Sequence, residues 1–166
     1  MRDIKHNSPI IVITPFCGSE DNLFKLKDQL IPQFNSKDKW IIVYDNIEPK
    51  NFSQDENEQI IIIQNNSTSG AGNTRNVALD FIQKNFNYPH LLYPVDSDDE
   101  LLSNSIYKIK KAFEDYQDRI ITFGHIKVWT RKQINIGYEG IFDLKSLLMR
   151  YRTPCGSTII RINSEH

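Results

Sequence analysis

The sequence predicts an α/β fold with a mostly parallel sheet, because short buried strands alternate with amphipathic helices. The run PIIVIT, at 9–14, is apolar almost throughout, as expected of a strand covered on both faces. Leu23, Leu26 and Leu30 then recur at helical spacing. Of the 166 residues, 39% are apolar, which is enough for one real core, so we expect a single domain over 1–166.

The same alternation continues along the chain. The first periodic segment predicts a helix over 22–34. The other predicted strands are short and apolar, and they lie at 40–44, 60–63, 91–95, 119–129 and 157–161. The other predicted helices are 73–87, one that begins after a cap at Ser103 or Ser105, and a short one near 143–150. Polar residues predict loops at 45–59 and 64–72.

Composition argues against several classes of protein. The net charge is −1, so no overall field favours nucleic acid or an anionic membrane. The polar N-terminus lacks the apolar core of a signal peptide, and no apolar run approaches the roughly 20 residues that span a bilayer. Cys17 and Cys155 are far apart and are expected to be reduced thiols. We therefore expect a cytoplasmic protein whose membrane contact, if any, is peripheral.

An acidic cluster follows the strand predicted at 91–95. Asp96, Asp98, Asp99 and Glu100 fall within five positions, and a positive group is expected to compensate their mutual repulsion. If the segment is extended, Asp96 and Asp98 point to the same side and could bind Mg²⁺ or Mn²⁺ together with substrate phosphates. The alternative is a solvated acidic turn that caps the next helix. An EF-hand loop is excluded, because its sixth and twelfth positions would be Leu101 and Tyr107.

A glycine-containing segment, SGAGNTRN at 69–76, precedes the helix predicted at 73–87. It is not a Rossmann fingerprint, because it lies several residues after a strand and has no third glycine. Gly70 and Gly72 allow positive φ or close approach of a ligand, and Arg75 near the helix start suggests an acidic partner. The alternative is an ordinary turn with Arg75 facing solvent.

Several polar residues end or directly follow predicted strands. Ligands of open α/β sheets bind beyond the carboxyl ends of the strands. We therefore expect the following residues to lie along one edge: Thr14, Asp45, Asn65 and Asp96.

Four segments occur in an order that resembles the family 2 glycosyltransferases, which have the GT-A fold, a Rossmann-like open sheet flanked by helices. They are IVITPF at 11–16, WIIVYDN at 40–46, SGAGNTRNVALD at 69–80 and LLYPVDSDDELL at 91–102. The resemblance covers about residues 8–129, with a weaker echo in YRTPCGSTIIR at 151–161. The glycine and arginine segment followed by Asp-x-Asp-Asp is its most specific part.

The resemblance implies roles for the donor half of a site. Thr14 and Pro15 look like the edge of a nucleotide pocket, and Asp45 is similar to the acid that contacts the base or ribose. Gly72 and Arg75 match the glycine-rich segment beside the nucleotide-sugar.

The acidic motif and the substrates follow from the same resemblance. Asp98 would be the direct metal ligand, with Asp96 at the ribose or at metal-bound water, and Asp99 would either orient the site or cap a helix. A uridine diphosphate sugar is the most expected donor, and a saccharide or lipid-linked saccharide is the expected acceptor. The family implies inversion of configuration and a place in bacterial surface polysaccharide assembly.

The sequence departs from the family pattern in two places. After Asp45 it continues NIEPKNFSQDE, where the family has small hydroxyl residues and another acid. The family places its catalytic base on an acidic residue well beyond the Asp-x-Asp, and the acids in the tail of this sequence, Glu139, Asp143 and Glu165, lack matching context. The base is therefore unassigned and we expect the acceptor part to be incomplete. Two alternatives are a domain that binds a nucleotide-sugar without turnover and an α/β interaction domain without a ligand.

Overall fold

The computed structural model describes residues 8–53 and 57–115, together with four short strands at 121–123, 127–129, 134–136 and 158–162. Within these residues the main sheet has the order β3-β2-β1-β4-β8-β5. Its strands are β1 (Ile10–Phe16), β2 (Lys39–Asp45), β3 (Ile60–Asn65), β4 (His90–Pro94), β5 (Ile121–Phe123) and β8 (Thr158–Ile162). The pair β6 (Lys127–Trp129) and β7 (Ile134–Ile136) forms a separate antiparallel sheet.

The first four strands of the main sheet run parallel, in the order β3-β2-β1-β4. Strand β8 is antiparallel to β4, and β5 is antiparallel to β8. The predicted α/β fold with an open, mostly parallel sheet is confirmed.

Within the described residues, three helices cover the parallel strands. They are α1 (Glu20–Leu30), α2 (Ala71–Asn85) and α3 (Ser105–Asp115), and a 3₁₀ turn at Ile31–Gln33 extends α1. The Ser19 hydroxyl accepts a bond from the Asp21 amide and caps α1. None of the helices in the described part of the chain is long and apolar enough to cross a membrane.

The helices cover both faces of the sheet. Side chains alternate along each strand, so neighbouring residues of one strand contact different helices. On one face, apolar residues of α1 and α3, such as Leu26 and Phe113, pack in a cluster with Val12 and Ile42. On the other face, Ala78 and Ile82 of α2 pack in a cluster with residues such as Ile11. The central strands are therefore buried on both sides, which explains why their sequences are continuous apolar runs.

Two element predictions need correction. The long strand predicted at 119–129 is wrong, because β5 and β6 are short and belong to different sheets.

Strand β1 does not stop before Pro15 but continues to Phe16. The amide of Val95 bonds to the carbonyl of Ile13, so Pro15 faces the space beyond the end of β4, where no ladder bond is lost. The helix predicted near 143–150 lies outside the described residues.

A buried ion pair joins α3 to the end of the sheet at which the parallel strands begin. Asp38 is fully buried, and both of its carboxylate oxygens lie 2.7 Å from Lys110 Nζ. The same carboxylate accepts bonds from the backbone amides of Ile10 and Asn35, at 2.9 and 2.7 Å. Two of these four bonds come from Lys110, the counter-charge of Asp38. Loss of Lys110 would leave a buried carboxylate without its ion-pair partner.

Replacing Lys110 with methionine should destabilise the fold strongly. The change leaves an uncompensated buried carboxylate, which costs about 3 kcal/mol in such sites. Urea unfolding at neutral pH measures the loss. Lys111→Met is the matched control, because Lys111 pairs with Asp115 on the exposed surface of the same helix. Equal stability losses in the two variants would contradict this account of Asp38.

Candidate functional site

Two polar side chains lie side by side where β2 and β3 end. The strands pair in register, with Asp45 opposite Asn65, and both side chains are buried. Asn65 Nδ2 donates to Asp45 Oδ1 at 2.8 Å. The expected position of these two residues at the carboxyl edge of the sheet is therefore correct, and the pair forms the base of the candidate site.

The Asp45 carboxylate binds the glycine-containing segment. Its Oδ2 accepts bonds from Ser69 Oγ and from the Gly70 amide, each at 2.8 Å. The bond from the Gly70 amide, followed by those from the side chains of Ser69 and Asn65, outweighs burial and holds the pKa of Asp45 below its ordinary value. Asp45 is therefore ionised at neutral pH and holds residues 69–70 against the end of β2.

Gly70 and Gly72 differ in what their backbones require. Gly70 caps α2 with φ of 121° and ψ of 142°, a conformation that other residues rarely adopt. Gly72 is exposed, lacks positive φ, and has open space where a Cβ would lie. The described contacts explain why residue 70 is glycine but not why residue 72 is, so Gly72 remains a candidate for close approach of a ligand.

Arg75 meets its expected acidic partner across the edge of the sheet. One terminal nitrogen of its guanidinium lies 2.5 Å from Asp96 Oδ1. Arg75 is mostly covered, its side chain being 21% exposed, and its buried Nε has no hydrogen-bond partner. Because α2 begins at Ala71, Arg75 is the fifth helical residue and not part of the first turn. The structure thus joins α2 to the acidic segment after β4.

The acidic segment is a turn and not an extended strand. The Asp99 amide donates to the Asp96 carbonyl at 3.0 Å, and the Asp96 amide donates to Asp99 Oδ2 at 3.0 Å. The expectation that Asp96 and Asp98 share one side because the chain is extended is therefore wrong in its premise. Desolvation and the carboxylates of Asp96 and Asp98 raise the pKa of Asp99, although the residue as a whole is exposed.

Comparisons with known proteins bear on the fold. No protein-family model matches the chain, and no curated protein matches it in sequence. A crystal structure of S. aureus TarS, residues 1–349, has a TM-score of 0.61 and 21% identity, and the match covers 92% of this chain and 47% of that one. The chain has a TarS-like α/β fold. It spans about half the length of the TarS chain that it matches.

A second solved structure gives a weaker match. It is a 4-diphosphocytidyl-2C-methyl-D-erythritol synthase, with a TM-score of 0.39 and 12% identity over 80% of this chain and 68% of that one. That likeness is too low to add to the description of the fold.

Thr14 and Pro15 occupy different environments in the TarS-like sheet. Thr14 is fully buried on the α1 side, where its hydroxyl accepts a bond from Trp40 Nε1 at 2.8 Å. The expectation that Thr14 lines the edge is therefore corrected, because β1 continues two residues further than predicted. Pro15 is partly exposed and remains a candidate.

A cleft that the sequence does not reveal lies on the α1 side of the same edge. It has a volume of about 540 Å³, and its lining includes Phe16, Cys17, Tyr44, Ile47 and Lys50. Glu20 shapes one wall, since its carboxylate accepts the backbone amides of residues 50, 51 and 52 at 2.8, 2.8 and 3.3 Å. Burial opposes ionisation of Glu20, but these bonds outweigh it and lower its pKa. A loop whose amides bind a distant carboxylate has no periodic signal in the sequence.

The acidic turn fits a divalent ion only if a substrate supplies the remaining ligands. Within the described part of the chain, no three His, Cys, Asp or Glu side chains are grouped closely enough to hold a metal. Asp98 is exposed and makes no hydrogen bond or ion pair with the described residues, and Asp96 uses one oxygen for Arg75. One or two carboxylates with substrate phosphates and water are the usual ligands of Mg²⁺. The acids considered for the catalytic base, Glu139, Asp143 and Glu165, lie outside the described residues.

The two glycines should respond oppositely to alanine. Gly70→Ala places a side chain at φ of 121° and should cost about 1–3 kcal/mol of unfolding free energy. Gly72→Ala meets open space in a helical turn and should stabilise the free protein by up to about 1 kcal/mol. Urea unfolding of both variants measures the difference. Destabilisation of similar size in both would contradict the start of α2 at Ala71 with Gly70 as its cap.

The acid limb of the stability profile should depend on Asp45. Since its folded-state pKa lies below the ordinary 3.8, its contribution is complete above pH 3.8 and is lost as pH falls through that lower value. The unfolding free energy of the wild type should therefore fall more steeply between about pH 4 and pH 2 than that of Asp45→Asn. Urea titrations across this range measure both slopes. Parallel slopes would mean that the carboxylate is not held by these bonds.

Proposed function

We propose that the chain is a glycosyltransferase domain that binds a nucleotide-diphosphate sugar, with Mg²⁺ or Mn²⁺, at the Arg75 and Asp96 edge of the sheet. The single observation that carries the proposal is the ion pair between Arg75 and Asp96, which places a guanidinium beside an acidic turn at the carboxyl ends of parallel strands. Support at the level of the fold comes from the likeness to TarS, a glycosyltransferase.

The charges at this edge suit a diphosphate. Asp98 presents an exposed carboxylate as the direct metal ligand, and Asp96, two residues earlier in the same turn, pairs with Arg75. A bound divalent ion would neutralise the charge that develops on the diphosphate leaving group. Arg75 donates to the same region from α2, and its guanidinium geometry suits phosphate oxygens as well as carboxylates. Gly72, exposed at the start of that helix, leaves room for the substrate.

The finer assignment continues the family resemblance. The donor is a uridine diphosphate sugar, the acceptor is a saccharide or a lipid-linked saccharide, and transfer inverts the anomeric configuration. The setting is bacterial surface polysaccharide assembly in the cytoplasm, with peripheral contact to the membrane.

Asp98→Asn tests the proposal. The purified chain is titrated with UDP-, GDP-, CDP- and dTDP-sugars, with and without Mn²⁺, by calorimetry. The wild type should bind at least one donor only with the metal, and Asp98→Asn should weaken that binding by about tenfold or more. Asp80→Asn, the same change at an exposed position of α2, should leave the affinity unchanged.

Release of the nucleoside diphosphate with a saccharide acceptor then separates two forms of the proposal. Turnover supports an active transferase, and metal-dependent binding without product supports a domain that only binds the donor. Absence of binding to every donor, with or without metal, would overturn the proposal and favour an α/β domain without this ligand.

A further inference from the structure

The carboxylate of Asp45 has almost no capacity left for a ligand. Its Oδ1 accepts bonds from the side-chain nitrogens of Asn65 and Asn46, at 2.8 and 3.2 Å. Its Oδ2 accepts the Ser69 hydroxyl and the Gly70 amide, each at 2.8 Å. A carboxylate has about four acceptor positions, and Asp45 is only 8% exposed. A nucleobase or ribose would have to displace one of these donors.

Those bonds determine where α2 begins. The Gly70 amide is held by Asp45, and the Gly70 carbonyl accepts bonds from the amide and the hydroxyl of Thr74, each at 2.9 Å. Thr74 is fully buried, and its Oγ1 also accepts a bond from Asn65 Nδ2 at 3.4 Å. The first turn of α2 is therefore attached to the ends of both β2 and β3.

Arg75 follows Thr74 directly, so its backbone position is set by the same contacts. Its guanidinium extends from the start of the second turn to Asp96, just after the end of β4, and its Nε is buried. A rotation of α2 about its axis would move the guanidinium away from Asp96. The bonds of Gly70 and Thr74 at the helix start oppose that rotation, together with the packing of Ala78 and Ile82 on the sheet.

We propose that Asp45 is a positioning residue, which sets the start of α2 and thereby holds Arg75 against Asp96, and that it does not recognise the nucleobase. The proposal builds on the function given above, since Arg75 acts there on the diphosphate. It differs from the role that the family resemblance implies, in which this acid contacts the base or the ribose.

The first test compares nucleobases. Asp45→Asn keeps the size of the side chain but replaces one acceptor oxygen with an NH2 group, which cannot accept a hydrogen bond, so whichever way the amide turns, two of the four donors lose their acceptor. Affinities for UDP, CDP, GDP and ADP are measured with Mn²⁺. A positioning role predicts a uniform loss of about tenfold for each ligand that binds, with the ratios between ligands unchanged. A change confined to one base, with the others unaffected, would overturn the proposal.

A double-mutant cycle tests whether Asp45 acts through Arg75. Asp45→Asn should weaken binding in the wild-type background and have little further effect in Arg75→Gln, because the guanidinium is then already absent. A general structural defect would instead weaken both backgrounds equally and would overturn the proposal. Asp80→Asn serves again as the control. Ser69→Ala removes one donor and keeps the carboxylate, so it should give a smaller loss in the same direction even if Asp45→Asn folds poorly.

A ligand-free measurement separates this proposal from the proposed function. The buried Nε–H of Arg75 should exchange slowly with solvent in ¹H–¹⁵N spectra of the wild type, and faster in both Asp45→Asn and Ser69→Ala. If no nucleotide binds but this pattern appears, the proposed function fails and the positioning role stands. If nucleotides bind but Arg75 exchange and the selectivity ratios show no such pattern, the positioning role fails alone.

Discussion

The parallel pairing of β1 with both β2 and β4 is the constraint on which the candidate site depends. Phe16 pairs with Tyr44 at one side, whereas β4 already ends beside Ile13. Because of this stagger, the acidic turn that follows β4 begins beside Pro15, which pairs with Val43, two residues before the end of β2. A shift of one residue in the pairing of β2 with β1 would move every side chain of β2 to the opposite face of the sheet, and Asp45 would then point away from α2.

Carboxylates near the carboxyl ends of the parallel strands fall into two groups. Glu20 and Asp45 each accept at least one backbone amide, and these bonds hold neighbouring loops in place and lower the pKa of both side chains. Asp98 lies exposed without such a bond among the described residues. The first group stabilises the fold only while ionised, and the second leaves a charge available to a ligand. The chemistry of the edge therefore depends on which acids the loops have already used.

The order of strands and helices up to residue 115 could be predicted from the sequence, because burial on one or both faces imposes the periodicity of the apolar residues. The pairing of Arg75 with an acid could also be inferred, since a cation near the start of a helix needs compensation. The burial of Thr14 could not, because it depends on β1 continuing through Pro15 beyond the end of β4. The bonds of Glu20 could not either, since they join segments 30 residues apart without any local signal.

Side chains of α1 bind the loops at the carboxyl edge of the sheet. At its first turn, Glu20 binds the loop that follows β2, and near its end Gln29 Oε1 accepts the Leu101 amide at 2.8 Å. Beyond it, Gln33 Oε1 accepts the Ile106 amide at the start of α3. The segment after the acidic turn is thus fixed on both sides of Leu102. Asp98 itself lies between Asp96, which pairs with Arg75, and Leu101, whose amide bonds to Gln29. An exposed carboxylate between such fixed neighbours loses little conformational freedom on binding, so Asp98 can be open to solvent and still be well positioned for a ligand.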